Sequence, residues 1–294
     1  MEIIELRRGR TRALIAPEAG GRLVQLEVSD GGSWLPLLRA PRDATRALAE
    51  PLRWGSYPML PWPNRIDGAR FTWRGRMYAL PADAPPHSLH GVGHTRPWRI
   101  ELATRTRCRL SLAFDDSWPF GGRAVQEFAL LADGIAQRIE VHTAGRAFPA
   151  GAGWHPWFRR DVRPGADVRV LVDADRVYET HEMIPTGWLK PALGDSDLRG
   201  YPALGARRLD HCYRDTRGDL RIRWGDLELR MASSPNVAHA VVYTPPEGVC
   251  VEPQTCAIDA FNLDAQGIAG GGSVVVTPGR PLVATTRWRW RIDG

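Results

Sequence analysis

Thr286-Arg287-Trp288-Arg289-Trp290-Arg291 alternates arginine with a tryptophan or threonine at every step. A period of two sends successive side chains to opposite faces of a strand, so one row enters a core and the other meets water. The same alternation runs through Arg221-Ile222-Arg223-Trp224 and Glu228-Leu229-Arg230-Met231, with Gly225-Asp226 between them as a two-residue hairpin loop would sit. Phe71-Thr72-Trp73 and Met77-Tyr78-Ala79-Leu80 flank Arg74-Gly75-Arg76 in the same way. With 30 glycines and 24 prolines, turn signals recur at the ~8–12-residue spacing of a sandwich or barrel. Only Arg42 to Glu50 reads as helical, and the Gly267–Gly272 cluster reads as a flexible turn. No repeat, low-complexity tract or linker interrupts the pattern. It predicts an all-β chain with few short helices, organised as one domain over residues 1–294.

Composition narrows the function. Hydrophobic residues make up 43% and charged residues 24% of the chain, which excludes disordered and collagen-like classes. No stretch approaches the ~18 consecutive apolar residues of a membrane span. The opening Met-Glu-Ile-Ile-Glu-Leu-Arg-Arg lacks the apolar run of a signal peptide. The expectation is a cytoplasmic protein without a membrane partner. A net charge of +6 would suit a polyanion. The arginines, however, are scattered among 33 acids in runs no longer than Arg7-Arg8, and Lys190 is the one lysine. They read as solvated strand faces, and no nucleic-acid partner is expected. Cys108, Cys212, Cys250 and Cys256 form no C-x-x-C pair, so neither a disulfide framework nor a zinc ribbon is indicated.

Four segments set titratable residues into apolar or turn-rich sequence. Tyr57-Pro-Met-Leu-Pro-Trp-Pro-Asn64-Arg65-Ile66 fixes an irregular extended path that ends in a guanidinium able to bond bidentately; its plain reading is a rigid loop with a surface arginine. His87-Ser88-Leu89-His90-Gly91-Val92-Gly93-His94 invites a metal reading. No neighbouring cysteine or glutamate completes a zinc set, so a hydrogen-bonding or acid–base histidine fits better and no metal is expected. Gly151-Ala152-Gly153-Trp154-His155-Pro156-Trp157-Phe158 wedges one imidazole among aromatic rings. That is either core packing or the way a sugar site is built, with flat rings on C–H faces and polar groups on hydroxyls. In Val249-Cys250-Val251-Glu252-Pro253-Gln254-Thr255 a glutamate closes a β-branched run. Burial there would raise its pKa and suit it to base work near neutrality; a surface strand end is the alternative. Neither a G-x-S-x-G elbow nor a phosphate loop is present, and the Gly91 and Gly151 pairs lack the third glycine of a dinucleotide fold, so no cofactor is expected.

Taken in order, Asn64-Arg65-Ile66, His90-Gly91, His155-Pro156-Trp157-Phe158 and Glu252-Pro253-Gln254-Thr255 resemble the aldose 1-epimerases, or galactose mutarotases. Asp259-Ala260-Phe261-Asn262 continues the last motif, and Leu209-Asp210-His211 resembles the family's aspartate segment. The resemblance runs from about Gly21 to the C-terminus. It implies a large antiparallel β-sandwich, a supersandwich with a concave groove, and interconversion of the α and β anomers of a hexose. By this analogy Glu252 is the base that takes the C1 hydroxyl proton and His155 the acid that protonates the ring oxygen. His90, Arg65, Asp210, Asn64 and Trp157 would hold the sugar. The chain departs from the family pattern at Ile258, where proline is frequent, at Trp157, where tyrosine is frequent, and at His94, where an aromatic residue is common.

Three readings stand beside the hexose epimerase, acting as monomer or homodimer. A hexose-6-phosphate 1-epimerase would gather arginines at the groove, and a non-catalytic sugar-binding protein on the same fold would not need the acid–base pair. A glycoside hydrolase or lyase would want two carboxylates about a bond, which Asp210 and Glu252 could imitate.

Overall fold

The computed structural model describes residues 2–41, 50–216 and 219–293. Among them, antiparallel pairing builds an eleven-stranded sheet and an eight-stranded sheet. The smaller sheet runs in order Arg99–Ala103, Arg107–Ala113, Arg123–Leu131, Gly134–His142, Leu282–Ile292, Leu227–Ser233, Asp219–Trp224 and Val168–Val172. The strand Leu282–Ile292 obeys the period that predicts it: Thr286, Trp288 and Trp290 are buried while Arg287, Arg289 and Arg291 are exposed. Trp224 pairs with Leu227 across Gly225-Asp226, closing the expected two-residue hairpin. Trp73 pairs with Arg76, so Arg76 belongs to the second strand and the turn is Arg74-Gly75 alone. Both turn residues have positive φ, 50° and 74°, as this class of tight hairpin requires.

The larger sheet carries Ile4–Arg8, Thr11–Ala16 and Arg22–Asp30 at one end and the hairpin Arg176–His181/Ile184–Pro191 at the other. Its middle is assembled from segments far apart in the chain: Ser56–Met59, Gly153–Pro156, Cys250–Gln254, His239–Tyr243 and Asp210–Arg214. One buried cluster joins the two sheets, with Leu6, Ile15 and Leu26 from the larger meeting Leu110, Phe128, Ile139 and Trp288 from the smaller. Trp290 Nε1 donates to Thr11 Oγ1 across the layers at 2.9 Å. The result is the all-β chain that the alternation predicts, in the antiparallel sandwich that the resemblance implies. Helix is confined to Ala260–Ala265 and the 3₁₀ turns Pro17–Ala19, Asp67–Ala69 and Gly194–Ser196 among the described residues. No helix there is long and apolar enough to cross a membrane. The predicted helix from Arg42 to Glu50 lies, except for Glu50, outside the described residues.

Two local expectations are corrected. Glu228 occupies an outward position of its strand yet is only 4% exposed. Arg291 Nε lies 3.1 Å from Glu228 Oε1 and the Tyr201 hydroxyl donates to Oε2 at 3.2 Å, so neighbouring side chains roof the carboxylate. The Gly267–Gly272 turn is packed tightly at its far end. Gly270 O accepts from the Tyr178 hydroxyl at 3.1 Å, and a Cβ on Gly272, at φ +82°, would come within 2.5 Å of Thr255 O. Some of the scattered arginines pair with acids on strand faces, such as Arg138 with Glu140 and Arg221 and Arg230 with Asp219.

Candidate active site

The middle strands of the larger sheet put every second side chain on the face turned away from the sandwich core. Val249 and Val251 join the core, while Cys250 faces the other way. Trp154 and Phe158 likewise point inward and Trp157 outward. Gly153 pairs with Gln254 across adjacent antiparallel strands. Two residues further along each strand, on the outward face, stand His155 and Glu252. Their side chains meet with His155 Nε2 3.3 Å from Glu252 Oε1. Gly153 is required here, because a Cβ at that position would come within 2.7 Å of Gln254 Cβ.

The pair lies on the floor of a groove of about 330 Å³. All of Asn64, Arg65, His90, His155, Trp157, Asp210 and Glu252 line it, so the residues singled out from five distant segments converge on one cavity. Tyr57, Tyr243, Arg53 and Met183 also line it, and the motifs alone do not single them out. Tyr57 and Tyr243 follow from strand periodicity once the register is known: Tyr57 pairs with His155 and Tyr243 with Cys250. Asp210 pairs in turn with Tyr243, which brings its carboxylate to the same face.

Aromatic rings fix the imidazole. Tyr57 stacks on His155 at 4.7 Å between centroids, and Trp157 stacks on it at 5.8 Å with planes 10° apart. His90 meets His155 edge-on at 4.9 Å. The His90 loop is held by Asn64: His90 N donates to Asn64 O at 2.8 Å, and Asn64 Oδ1 accepts from Arg65 N and Arg65 Nη1, each at 3.0 Å. Asn64 and His90 both adopt positive φ, 53° and 60°, a conformation asparagine and histidine tolerate better than most side chains. Gly91 follows at φ +71°, where a Cβ would fall 1.9 Å from Leu60 O; only glycine permits this approach. Asp259 secures the other side of the guanidinium segment. Its N donates to Arg65 O at 2.9 Å, and its Oδ1 accepts from Asp67 N at 3.0 Å and Asn262 Nδ2 at 2.7 Å. Of the remaining histidines in this stretch, His87 turns away to Asp67, 3.1 Å from Nδ1, while His94 packs against Tyr57.

Burial governs the protonation of the pair. It drives the Glu252 carboxyl well above the usual carboxylate range, Asp210 adding to the effect and Arg65 opposing it. It drives His155 down to about 3, with a smaller push from Arg22. His90 falls well below the ordinary imidazole value for the same reason, and His94 falls to about 4. Asp210 is reached by solvent through the groove mouth, yet the protein around it removes enough water to raise its pKa, against Arg65. Both charges of the His155–Glu252 pair are thus disfavoured in the same place, and the pair holds one transferable proton between them. Glu252 Oε2 is buried with no protein partner among the described residues. Cys250 brings a thiol within 4.8 Å of the His155 and Glu252 ligand atoms, a possible ligand trio. Burial pushes that thiol well above its ordinary value, so it stands in the floor as a neutral apolar group, whereas a metal would require the thiolate.

The antiparallel supersandwich thus carries a histidine–glutamate pair on the floor of a polar, aromatic-walled groove. The family model for aldose 1-epimerase matches residues 2–288. The uncharacterised protein YphB of Escherichia coli K12 is 31% identical over 147 residues, which span 46% of this chain and 49% of that protein. Among solved structures, the GalM/aldose epimerase homologue from C. elegans superposes with a TM-score of 0.86 at 17% identity, covering 100% of this chain and 99% of that one. A galactose mutarotase-like protein from Clostridium acetobutylicum gives 0.84 at 18% identity, covering 98% and 95%. The chain belongs to the aldose 1-epimerase family.

Proposed function

We propose that the chain catalyses the interconversion of the α and β anomers of a free hexose by acid–base ring opening. The observation that carries this reading is the buried His155–Glu252 contact of 3.3 Å on the groove floor. In the charged tautomer, the Glu252 carboxylate takes the C1 hydroxyl proton while His155 Nε2 gives its proton to the ring oxygen. The bond from C1 to the ring oxygen breaks, leaving an aldehyde at C1, a hydroxyl at C5, a neutral imidazole and a protonated Glu252. Rotation about C1–C2 presents the other face of the aldehyde. The C5 oxygen then attacks C1, His155 recovers its proton and Glu252 returns its own to O1. The two tautomers have the same net charge, so the buried site never has to admit or release charge during turnover.

The polar groups around the pair suit a sugar edge. Arg65, His90, Asn64 and Asp210 offer directional donors and acceptors, and Trp157 a flat wall for C–H faces. A phosphorylated hexose is disfavoured by the state of the groove's guanidinium groups. Arg65 is engaged with Asn64 at 3.0 Å, and Arg53 at the rim lies 3.4 Å from Glu247. Exchange spectroscopy on the anomeric protons of glucose, galactose and glucose 6-phosphate tests this. Faster exchange for a free sugar supports the reading, and acceleration confined to the phosphate ester replaces it with the phosphohexose one. Arg65→Ala is expected to act mainly on binding. Loss of a hydrogen bond to a charged group, ~1.5–3 kcal/mol, should raise KM roughly ten- to a hundredfold with little change in kcat. A loss confined to kcat would place Arg65 in the transition state instead.

A further inference from the structure

Arg22, the first residue of its strand, is 1% exposed. Its guanidinium lies 4.0 Å from the Trp54 ring centroid and 4.8 Å from that of Tyr57. Nη1 donates to Trp54 O at 2.8 Å and Nε to Ala19 O at 3.3 Å. Among the described residues no carboxylate lies within 4.0 Å of it, the distance at which an ion pair would form. Gly55, at φ +64°, makes the slot: a Cβ there would come within 3.0 Å of Arg22 Cγ and Cδ. An unpaired buried cation is costly to keep. Burial lowers Arg22 only to about 10, so it stays charged at neutrality.

The neighbour that shares this cation is the Tyr57 ring, which also stacks on His155 at 4.7 Å. We propose that Arg22 is a positioning residue for His155: it holds the Tyr57 platform against the imidazole, and its fixed charge opposes a second positive charge there, confining the acid–base pair to one shared proton. Of the other groups around the imidazole, His94, lowered by burial to about 4, adds a push of the same sign smaller than that of Arg22, whereas burial keeps His90 well below the ordinary imidazole value and the Cys250 thiol neutral. Glu252 is the partner in the proton transfer, Asp210 acts on Glu252 with the opposite sign, and Arg65 lies on the groove side. Arg22 adds a charge from within the protein, where no substrate can displace it.

The inference rests on the epimerase reading only for its consequence, since the imidazole can be followed without substrate. Nitrogen and carbon NMR of labelled full-length protein, with His155 assigned by His155→Asn, gives the ring's protonation from pH 7 downward. Wild type is expected to keep His155 neutral at pH 5, and an imidazole half-protonated near 6.5 in wild type overturns the proposal whatever the variants do. Arg22→Gln should raise the ratio of protonated to neutral ring about tenfold at a given acidic pH, one pH unit in midpoint. Arg22→Lys, which keeps the charge and loses the fork, should hold the low midpoint, and a midpoint near the ordinary imidazole value in folded Arg22→Lys also overturns the proposal. So does a folded Arg22→Gln with an unmoved titration. The acid limb of kcat/KM, which reports the free enzyme, should move with the NMR midpoint. A shifted titration in a protein that accelerates no anomeric exchange would leave the Arg22 inference standing and remove the epimerase.

Discussion

Glu252→Gln is expected to lower kcat for anomer exchange by ~10²–10⁴, the range for loss of a positioned acid or base. Glutamine keeps the volume and one acceptor oxygen of the side chain, 1% exposed in the groove floor, but cannot take up the C1 hydroxyl proton. His155→Asn should cost a similar factor by removing the donor to the ring oxygen. The two losses should not add. Once either partner is gone the shared proton has nowhere to go, so the double variant should be about as slow as the worse single one. The pH dependence follows from the directions of the shifts. Below about 3 His155 takes up a second proton, and above the raised Glu252 value the last proton leaves. Activity needs the one-proton pair, so the profile should be flat across neutrality and fall at both extremes. Glu252→Gln should erase the alkaline limb and His155→Asn the acid limb. A wild-type rate in either variant removes that residue from the mechanism.

Trp288→Ala is expected to destabilise the fold by ~3–5 kcal/mol, as a large-to-small change in a closed core does. Trp288 is fully buried, pairs with Ile135 and Met231 on its flanking strands, and lies 5.6 Å from the Phe158 ring. Its indole nitrogen has no hydrogen-bond partner among the described residues, so the cost is packing and cavity alone. Phe158 follows Trp157 directly, so the smaller sheet supports the wall of the groove through this contact. Arg287→Ala, one residue away on the solvent face, should change stability by less than ~0.5 kcal/mol. Urea unfolding of the two variants side by side reads the contrast, and equal effects would mean that the alternation does not mark the core.

The contrast between those neighbours explains what was legible in the sequence. Alternation in Thr286–Arg291 carries its own register, because a strand buried on one face has a single way to lie. Local turns such as Gly225-Asp226 are equally legible. The order of strands in the middle of the larger sheet is not. Ser56–Met59, Gly153–Pro156 and Cys250–Gln254 become neighbours only through long-range pairing. The seven groove residues were reachable because they stand in recognisable motifs. Tyr57 and Tyr243 were not singled out, since strand register alone turns them into the groove, and Arg53 reaches it from a loop outside the quoted motifs. Arg22 was least visible of all: one arginine among many, with nothing in Gly20-Gly21-Arg22-Leu23 to mark it as buried. Glu228 misled in the opposite sense, an acid at an outward position covered by residues from other strands.

The central claim is that the His155–Glu252 pair opens and recloses a hexose ring. Polarimetry on freshly dissolved α-D-glucose and α-D-galactose, with wild type and Glu252→Gln at equal concentration, tests it most directly. The account predicts that wild type speeds the approach to rotational equilibrium of at least one sugar well beyond buffer, and that Glu252→Gln does not. Wild-type decay at the buffer rate for both sugars, or equal acceleration by the variant, would contradict it.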